Sequence, residues 1–198
     1  MTPFGAEHAE IYDSQFRGIS AARDGLQLVT RLGLSHLPDR ARILCAGAGT
    51  GIEALTLGAV HPDWQFDLVD PAPAMLEVAR QYTRDLPNVD LRRGDLDELP
   101  IADQTCHAAI LLLVLTYLSD PEPALRQMHR ILRPGGTTEG KGGFQDGRAV
   151  IVDLMRHDRE DFRRDLGQQI MGFEPEQLAA MLEAAGFCDV SCQPLPPQ

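Results

Sequence analysis

The stretch that decides the fold reads Ala41-Arg42-Ile43-Leu44-Cys45-Ala46-Gly47-Ala48-Gly49-Thr50-Gly51. Its first six residues form a short, mostly apolar run, which is typical of a strand buried inside a sheet. Three glycines follow at alternate positions, and a helical pattern then runs over 52–60. Glycines at a strand-to-helix turn can adopt positive φ and let a ligand approach the backbone. The stretch therefore predicts a strand, a ligand-facing loop and a helix.

The same alternation continues along the chain. Further strands are predicted at 64–70, 89–92, 107–114 and 149–154, with a sixth at 190–195. Helices are predicted within the first forty residues, where Gly33 ends one, and at 75–82, 121–132 and 175–185. Alternating strands and helices predict an α/β fold: a doubly wound, mostly parallel, Rossmann-like sheet of about six strands with helices on both faces. Ligands bind such sheets at the carboxyl ends of the strands.

Length and charge restrict the classes of protein that fit. The 198 residues suit a single domain, since domains average about 150 residues. Eighteen Lys and Arg against 29 Asp and Glu give a net charge of −11, which argues against a nucleic-acid partner because phosphate backbones would be repelled. No apolar run approaches the ~20 residues of a membrane span, and no secretion signal is visible, so a cytoplasmic location is expected. The four cysteines lack paired spacing, so no metal site is predicted.

Two aspartates follow the next strands of the predicted sheet. Asp70 ends the second strand, 19 residues after Gly51, and Asp95 follows the third strand. A carboxylate at the first position can accept hydrogen bonds from both hydroxyls of a ribose, and one at the second can accept from an adenine amine. Either aspartate alone is equally well explained by a turn. Together with the glycine loop they favour an adenosine site.

The spacing of the glycines argues against two common adenosine ligands. A dinucleotide fingerprint, G-x-G-x-x-G, needs a third glycine at position 52, where this chain has Ile52. A nucleoside triphosphate loop, G-x-x-x-x-G-K-[ST], is absent, and Lys141 is the only lysine in the chain.

The sequence resembles the class I S-adenosylmethionine-dependent methyltransferases from about residue 42 to 195. The resemblance rests on the loop quoted above and on Leu68-Val69-Asp70-Pro71-Ala72-Pro73-Ala74-Met75-Leu76, Gly94-Asp95-Leu96, Arg130-Ile131-Leu132-Arg133-Pro134-Gly135-Gly136 and Leu182-Glu183-Ala184-Ala185-Gly186-Phe187. Within that superfamily, the C-terminal half looks most like the branch near the ubiquinone/menaquinone-biosynthesis methyltransferases.

The resemblance implies S-adenosyl-L-methionine as cofactor and a small molecule as methyl acceptor, methylated on O, N or C by in-line displacement. It implies that the methionyl and ribose part of the cofactor would lie against Gly47, Gly49 and Gly51. By the same resemblance Asp70 would hold the ribose hydroxyls, while Met75, Asp95 and Leu96 would meet the adenine. A homodimer is also expected.

Residues after the fourth and fifth strands are candidates for a general base, which assists when the acceptor carries a proton of high pKa. The catalytic candidates are Tyr117 and His157; Thr116, Asp158 and Tyr12 also fall near the expected site. Each has a structural alternative, since Tyr117 suits a core position and His157 a helix start.

The sequence departs from the family pattern in three places. Cys45 stands where relatives often carry an acidic residue, and a buried small side chain is the simplest interpretation. Residues 137–147 form a Gly-rich inserted loop within a single domain spanning 1–198, whose first forty residues are expected to lie over the site. The seventh strand of the superfamily is expected to be missing, which suggests a truncated chain.

Three other functions stay open from the sequence. One is a non-catalytic protein or subunit that binds an adenosine ligand. The second is an NAD(P)-dependent oxidoreductase, which Ile52 and the chain length oppose. The third is an arsenite-methylating enzyme, for which Cys188 and Cys192 are expected to lie too far from the cofactor.

Overall fold

The computed structural model describes residues 20–134 and 147–195 of the chain. Its strands are β1 (Arg42–Ala46), β2 (Gln65–Asp70), β3 (Val89–Arg93), β4 (Ala108–Leu112) and β5 (Arg148–Val152). Its helices are α1 (Ser20–Gly33), α2 (Ile52–Gly58), α3 (Pro73–Tyr82), α4 (Glu122–Ile131), α5 (Glu160–Leu166) and α6 (Pro175–Ala184), with a 3₁₀ turn at Leu115–Tyr117. Tyr12 and most of the predicted Gly-rich loop lie outside the described residues.

The five strands form one parallel sheet in the order β3-β2-β1-β4-β5. From β1 the chain winds outward through β2 to β3, and then returns to the other side of β1 through β4 and β5. This reversal beside β1 opens a crevice at the carboxyl ends of β1 and β4, where ligands bind in doubly wound sheets.

Helices cover both faces of the sheet because successive strand residues point to opposite sides. Leu44 packs in a cluster with Leu125 of α4 and Leu182 of α6. Its neighbour Ile43 packs in a second cluster, with Ala54 of α2 and Ala79 of α3. The doubly wound α/β fold predicted from the sequence is thereby confirmed.

The sixth strand predicted at 190–195 is not formed. Val190 and Cys192 are half-buried and pack against the hydrophobic core, which explains the alternating pattern in the sequence. The segment follows Asp189, whose φ of 53° lies in the left-handed region, and Pro194 has no N–H to donate to a sheet. The described residues therefore contain five strands, and the expectation of a missing seventh strand stays a prediction.

No helix among the described residues is long and apolar enough to cross a membrane.

Candidate functional site

A cavity of about 660 Å³ opens at the carboxyl ends of the strands, within the range of roughly 300–1,000 Å³ for small-molecule sites. Its walls come from the loops after β1, β2, β3 and β4 and from the first turn of α4, with Gly167 and Gln169 on the segment after α5. Seven of the nine residues predicted for the site line this cavity: Gly47, Gly49, Asp70, Met75, Asp95, Leu96 and Tyr117.

The glycine loop has the backbone conformation that its composition predicts. Gly47, Gly49 and Gly51 have φ angles of 64°, 52° and 75°, a region that residues with a Cβ rarely adopt. A Cβ built on Gly47 would lie 2.7 Å from a methyl group of Val114, so this glycine lets the loop approach the turn after β4. A Cβ on Gly49 would meet nothing within 4 Å. Gly49 therefore presents bare backbone to the cavity.

Asp70 connects the glycine loop to the end of β2. One carboxylate oxygen accepts a hydrogen bond of 2.8 Å from the Gly49 N–H, and the other accepts one of 2.8 Å from the Ala72 N–H. Burial raises the pKa of Asp70 above its ordinary value, although these two hydrogen bonds act to lower it. Each oxygen keeps a further lone pair with which it can accept a hydrogen bond from a ligand.

A further wall of the cavity combines apolar and acidic side chains. Met75 of α3 and Leu96 after β3 are both almost fully buried, and both line the cavity. Asp95 and Asp97, which flank Leu96, are exposed at its edge. An aromatic ring carrying polar edge groups fits such a wall, since the faces of the ring are apolar and its edge is not.

The turn after β4 forms the remaining wall and carries Tyr117. Leu113, with a φ of 56°, ends β4 two residues earlier than the apolar run in the sequence predicts. Burial, together with the charge of Asp153, raises the pKa of Tyr117 to about 12. At neutral pH the phenol is therefore protonated, which favours a role in hydrogen bonding and orientation over a role as a base.

Two predicted site residues do not line the cavity. At Gly51 a Cβ would approach a Leu68 methyl carbon at 3.0 Å and the Ala79 Cβ at 3.1 Å, so this glycine allows α2 to pack against the sheet and α3. His157 lies before α5. Its backbone N–H donates to the Met171 carbonyl, and its ring Nδ1 accepts from the backbone N–H of Arg159. Its catalytic role stays a prediction.

Three residues in or beside the cavity are not predicted from the sequence as part of the site: Leu113, Asp153 and Gln169. Leu113 and Gln169 line the cavity, and Asp153 binds the turn that carries Tyr117. For Asp153 a signal was available, because an aspartate directly after an apolar strand is the same pattern that identified Asp70. Leu113 gave none, since leucine rarely adopts a positive φ.

The cysteines do not form a site with the cavity. Cys45 and Cys106 are buried, Cys188 is exposed and Cys192 is half-buried. Burial raises the pKa of Cys45 and Cys106, the latter to about 11, so both thiols are poor metal or arsenic ligands. None of the four lines the cavity, and the described residues contain no cluster of three potential metal ligands.

Fold and cavity together define a Rossmann-like domain with a candidate ligand site at the carboxyl ends of its strands. Residues 44–138 match a family model described as a methyltransferase domain, a range that includes the glycine loop, Asp70, Asp95 and Tyr117. Over these residues the chain is similar to a methyltransferase domain, in agreement with the resemblance in the sequence.

Named proteins with similar sequences and structures are also methyltransferases. A malonyl-[acyl-carrier protein] O-methyltransferase of Laribacter hongkongensis is 37% identical over 56% of this chain and 39% of its own length. A demethylmenaquinone methyltransferase of Chlamydia pneumoniae is 32% identical over 61% of this chain and 56% of its own length. This chain therefore spans less than two thirds of either relative.

Among solved structures, phosphoethanolamine N-methyltransferase 2 of Haemonchus contortus has the same fold. It superposes with a TM-score of 0.75 at 18% identity, over 95% of this chain and 43% of its own. That structure was solved in complex with phosphomonomethylethanolamine and S-adenosylhomocysteine.

Proposed function

We propose that this protein is a methyltransferase that binds S-adenosylmethionine in the cavity at the carboxyl ends of its strands and methylates a small molecule. The observation that carries the proposal is the convergence of the bare Gly49 backbone, the Asp70 carboxylate and the apolar Met75–Leu96 wall on one cavity. The Asp70 carboxylate suits a ribose, the apolar wall suits an adenine, and the bare backbone suits a polar amino-acid chain.

The residues fit this cofactor group by group. Asp70 retains lone pairs on both oxygens to accept the two ribose hydroxyls. Met75 and Leu96 offer buried apolar contacts for the adenine faces, and Asp95 can accept from the adenine amine. The open space at the Cβ position of Gly49 leaves room for the methionyl part of the cofactor beside the loop.

When bound, S-adenosylmethionine supplies a methyl group, which passes to a lone pair of the acceptor while the electrons of the C–S bond remain on sulfur and the acceptor loses a proton. The protein's own contribution is to hold the acceptor in line and to exclude water. Tyr117, protonated at neutral pH, can donate a hydrogen bond that orients an acceptor oxygen or nitrogen. The acceptor proton would pass to solvent or to another group, since the Tyr117 phenol already carries its own proton at neutral pH.

Calorimetric titration tests the cofactor assignment. S-Adenosylhomocysteine should bind the wild-type protein, and Asp70→Ala should weaken that binding at least about tenfold, because hydrogen bonds to a charged group contribute about 1.5–3 kcal/mol. Asp85→Ala is the matched control, since the Asp85 side chain is 89% exposed and pairs with the exposed Arg84. Equal affinity in the Asp70→Ala variant and the wild type would contradict the assignment, and binding of NAD(P)H instead would favour an oxidoreductase.

A second assay separates an enzyme from a binding protein. Transfer of a labelled methyl group is measured over quinol, phenol, amine and arsenite acceptors. Turnover of one class identifies the acceptor chemistry. Binding of S-adenosylhomocysteine without turnover of any class would instead support the adenosine-binding protein that the sequence left open.

Assembly and location remain predictions from the sequence. We expect a homodimer working in the cytoplasm, and light scattering of the purified protein would test the first of these expectations.

A further inference from the structure

Asp153 follows β5 directly and lies beside the turn that ends β4. The two strands are paired in parallel, with Leu112 opposite Val152, and the Leu113 N–H donates to the Val152 carbonyl at 2.7 Å. This pairing brings the Asp153 side chain to the start of the Leu115–Tyr117 turn. Asp153 itself does not line the cavity.

The Asp153 carboxylate binds that turn through the backbone. One oxygen accepts from the Leu115 N–H at 2.7 Å, and the other accepts from the Leu154 N–H at 2.8 Å. Two N–H donors on two oxygens suit an ionised carboxylate, which only accepts hydrogen bonds. An asparagine could accept only one of them, because its NH₂ group would face the second donor.

The same turn is held from its other side by the segment after α5. The Thr116 carbonyl accepts from the N–H groups of Gln169 and Ile170, at 2.8 and 3.0 Å. Gln169 and Tyr117 both line the cavity, so two of its walls meet at this turn. Leu113, two residues before the turn, has a φ of 56° in the left-handed region. The turn thus depends on bonds from outside itself.

We propose that Asp153 is a positioning residue for methyl transfer: by holding the Leu115–Tyr117 turn through its backbone, it sets the place of the Tyr117 ring in the cavity. The inference rests on the proposed function, because the position of Tyr117 matters for catalysis only if an acceptor is methylated there. A change at Asp153, at the end of β5, should therefore alter the surroundings of the Tyr117 ring. This effect can be measured without any acceptor.

Ionisation of Tyr117 reports on how close the Asp153 charge lies to the phenol. Burial and the Asp153 charge raise the pKa of Tyr117 to about 12, so Asp153→Asn should lower it toward the ordinary value of about 10 without reaching it, since burial remains. The measurement is the ultraviolet absorbance of phenolate against pH, with Tyr117→Phe identifying the signal among three tyrosines. Asp85→Asn, at an exposed position, should leave the titration unchanged.

A second readout follows the hydrogen bond itself. Hydrogen exchange at the Leu115 amide should become about tenfold faster in Asp153→Asn, the loss expected for a hydrogen bond to a charged group. Affinity for S-adenosylhomocysteine, the probe used, should stay within about threefold of wild type, because Asp153 does not line the cavity. A residue needed only for folding would lower stability without this selective change at Tyr117 and Leu115.

The outcomes separate this inference from the proposed function. If S-adenosylhomocysteine binds but Asp153→Asn changes neither the Tyr117 titration nor Leu115 exchange, the positioning role is overturned. If S-adenosylhomocysteine does not bind the wild type, the proposed function fails, whatever the two readouts show. Should Asp153→Asn not fold, the wild-type protein decides: the Leu115 amide resonance should shift with pH as Asp153 titrates, and a flat profile would overturn the inference.

Discussion

Gly49 and Gly51 are two residues apart in one loop, but a side chain at each would meet different surroundings. A Cβ on Gly49 would enter open space, whereas on Gly51 it would press against Leu68 and Ala79 at 3.0 and 3.1 Å. We expect Gly49→Ala to cost about 1–2 kcal/mol of unfolding free energy, the cost of a left-handed φ for alanine. Gly51→Ala should cost at least about 1 kcal/mol more, because it also overpacks the core.

Binding should separate the same two variants in the opposite order. Gly49→Ala places a methyl group beside the proposed cofactor. When both variants are folded, it should therefore weaken the binding of S-adenosylhomocysteine more than Gly51→Ala does. Urea denaturation and calorimetry measure the two quantities. Equal losses of stability, or weaker binding in Gly51→Ala alone, would show that the assigned roles of the two glycines are wrong.

At the scale of elements, one buried carboxylate joins the first three strands. Asp67 of β2 is 2% exposed and accepts hydrogen bonds from Arg42 of β1, at 2.6 and 3.2 Å. It also pairs with Arg92 of β3 at 3.0 Å. The hydrogen bond from Arg42 to Asp67 is the main reason that the pKa of Arg42 is raised. The pairs fix these three strands against one another.

Asp67→Asn should therefore lower the unfolding free energy by about 1–2 kcal/mol, because the buried side chain loses its charged hydrogen bonds to two guanidinium groups whose side chains are 34% and 38% exposed. Glu122→Gln is the matched control, since Glu122 and Arg126 form an exposed pair within α4, for which about 0.5 kcal/mol or less is expected. Urea denaturation of both variants checks the contrast. Similar losses would indicate that the three-strand network contributes no more than a surface pair.

At the scale of the whole molecule, charge acts on whatever enters the cavity. The chain carries a net charge of −11, and four aspartates but no basic residue line the cavity within the described ranges. They are Asp70, Asp95, Asp97 and Asp120. This field attracts a cationic sulfonium and repels anionic acceptors, so the acceptor is expected to be neutral or cationic.

Salt should therefore weaken the binding of S-adenosylmethionine, which carries the sulfonium charge, more than the binding of S-adenosylhomocysteine, whose thioether sulfur is uncharged. Raising the ionic strength from about 0.01 M to about 1 M shortens the Debye length from roughly 30 Å to roughly 3 Å. We expect the ratio of the two dissociation constants to change by up to about fivefold, equivalent to about 1 kcal/mol for exposed charges. Calorimetry at both salt concentrations gives this ratio, and a constant ratio would contradict a field acting on the cofactor.

The sequence alone determined the fold class and which residues line one half of the cavity. In a parallel sheet, consecutive strand ends meet at one edge, so the glycine loop, Asp70 and Asp95 could be brought together from their order in the chain. Their chemistry is also local, because glycine readily adopts the positive φ that the loop needs and an aspartate at a strand end supplies a carboxylate.

Only the tertiary structure decided the other half. Asp153 reaches Leu115 across 38 residues of sequence, and whether Tyr117 or His157 faces the cavity depends on how the segments after β4 and β5 pack. The apolar pattern at 190–195 could not distinguish a strand from a coil packed on the core, because both bury alternate residues. Local patterns set which residues form strands and loops, whereas contacts between distant turns exist only once the sheet has closed around its core.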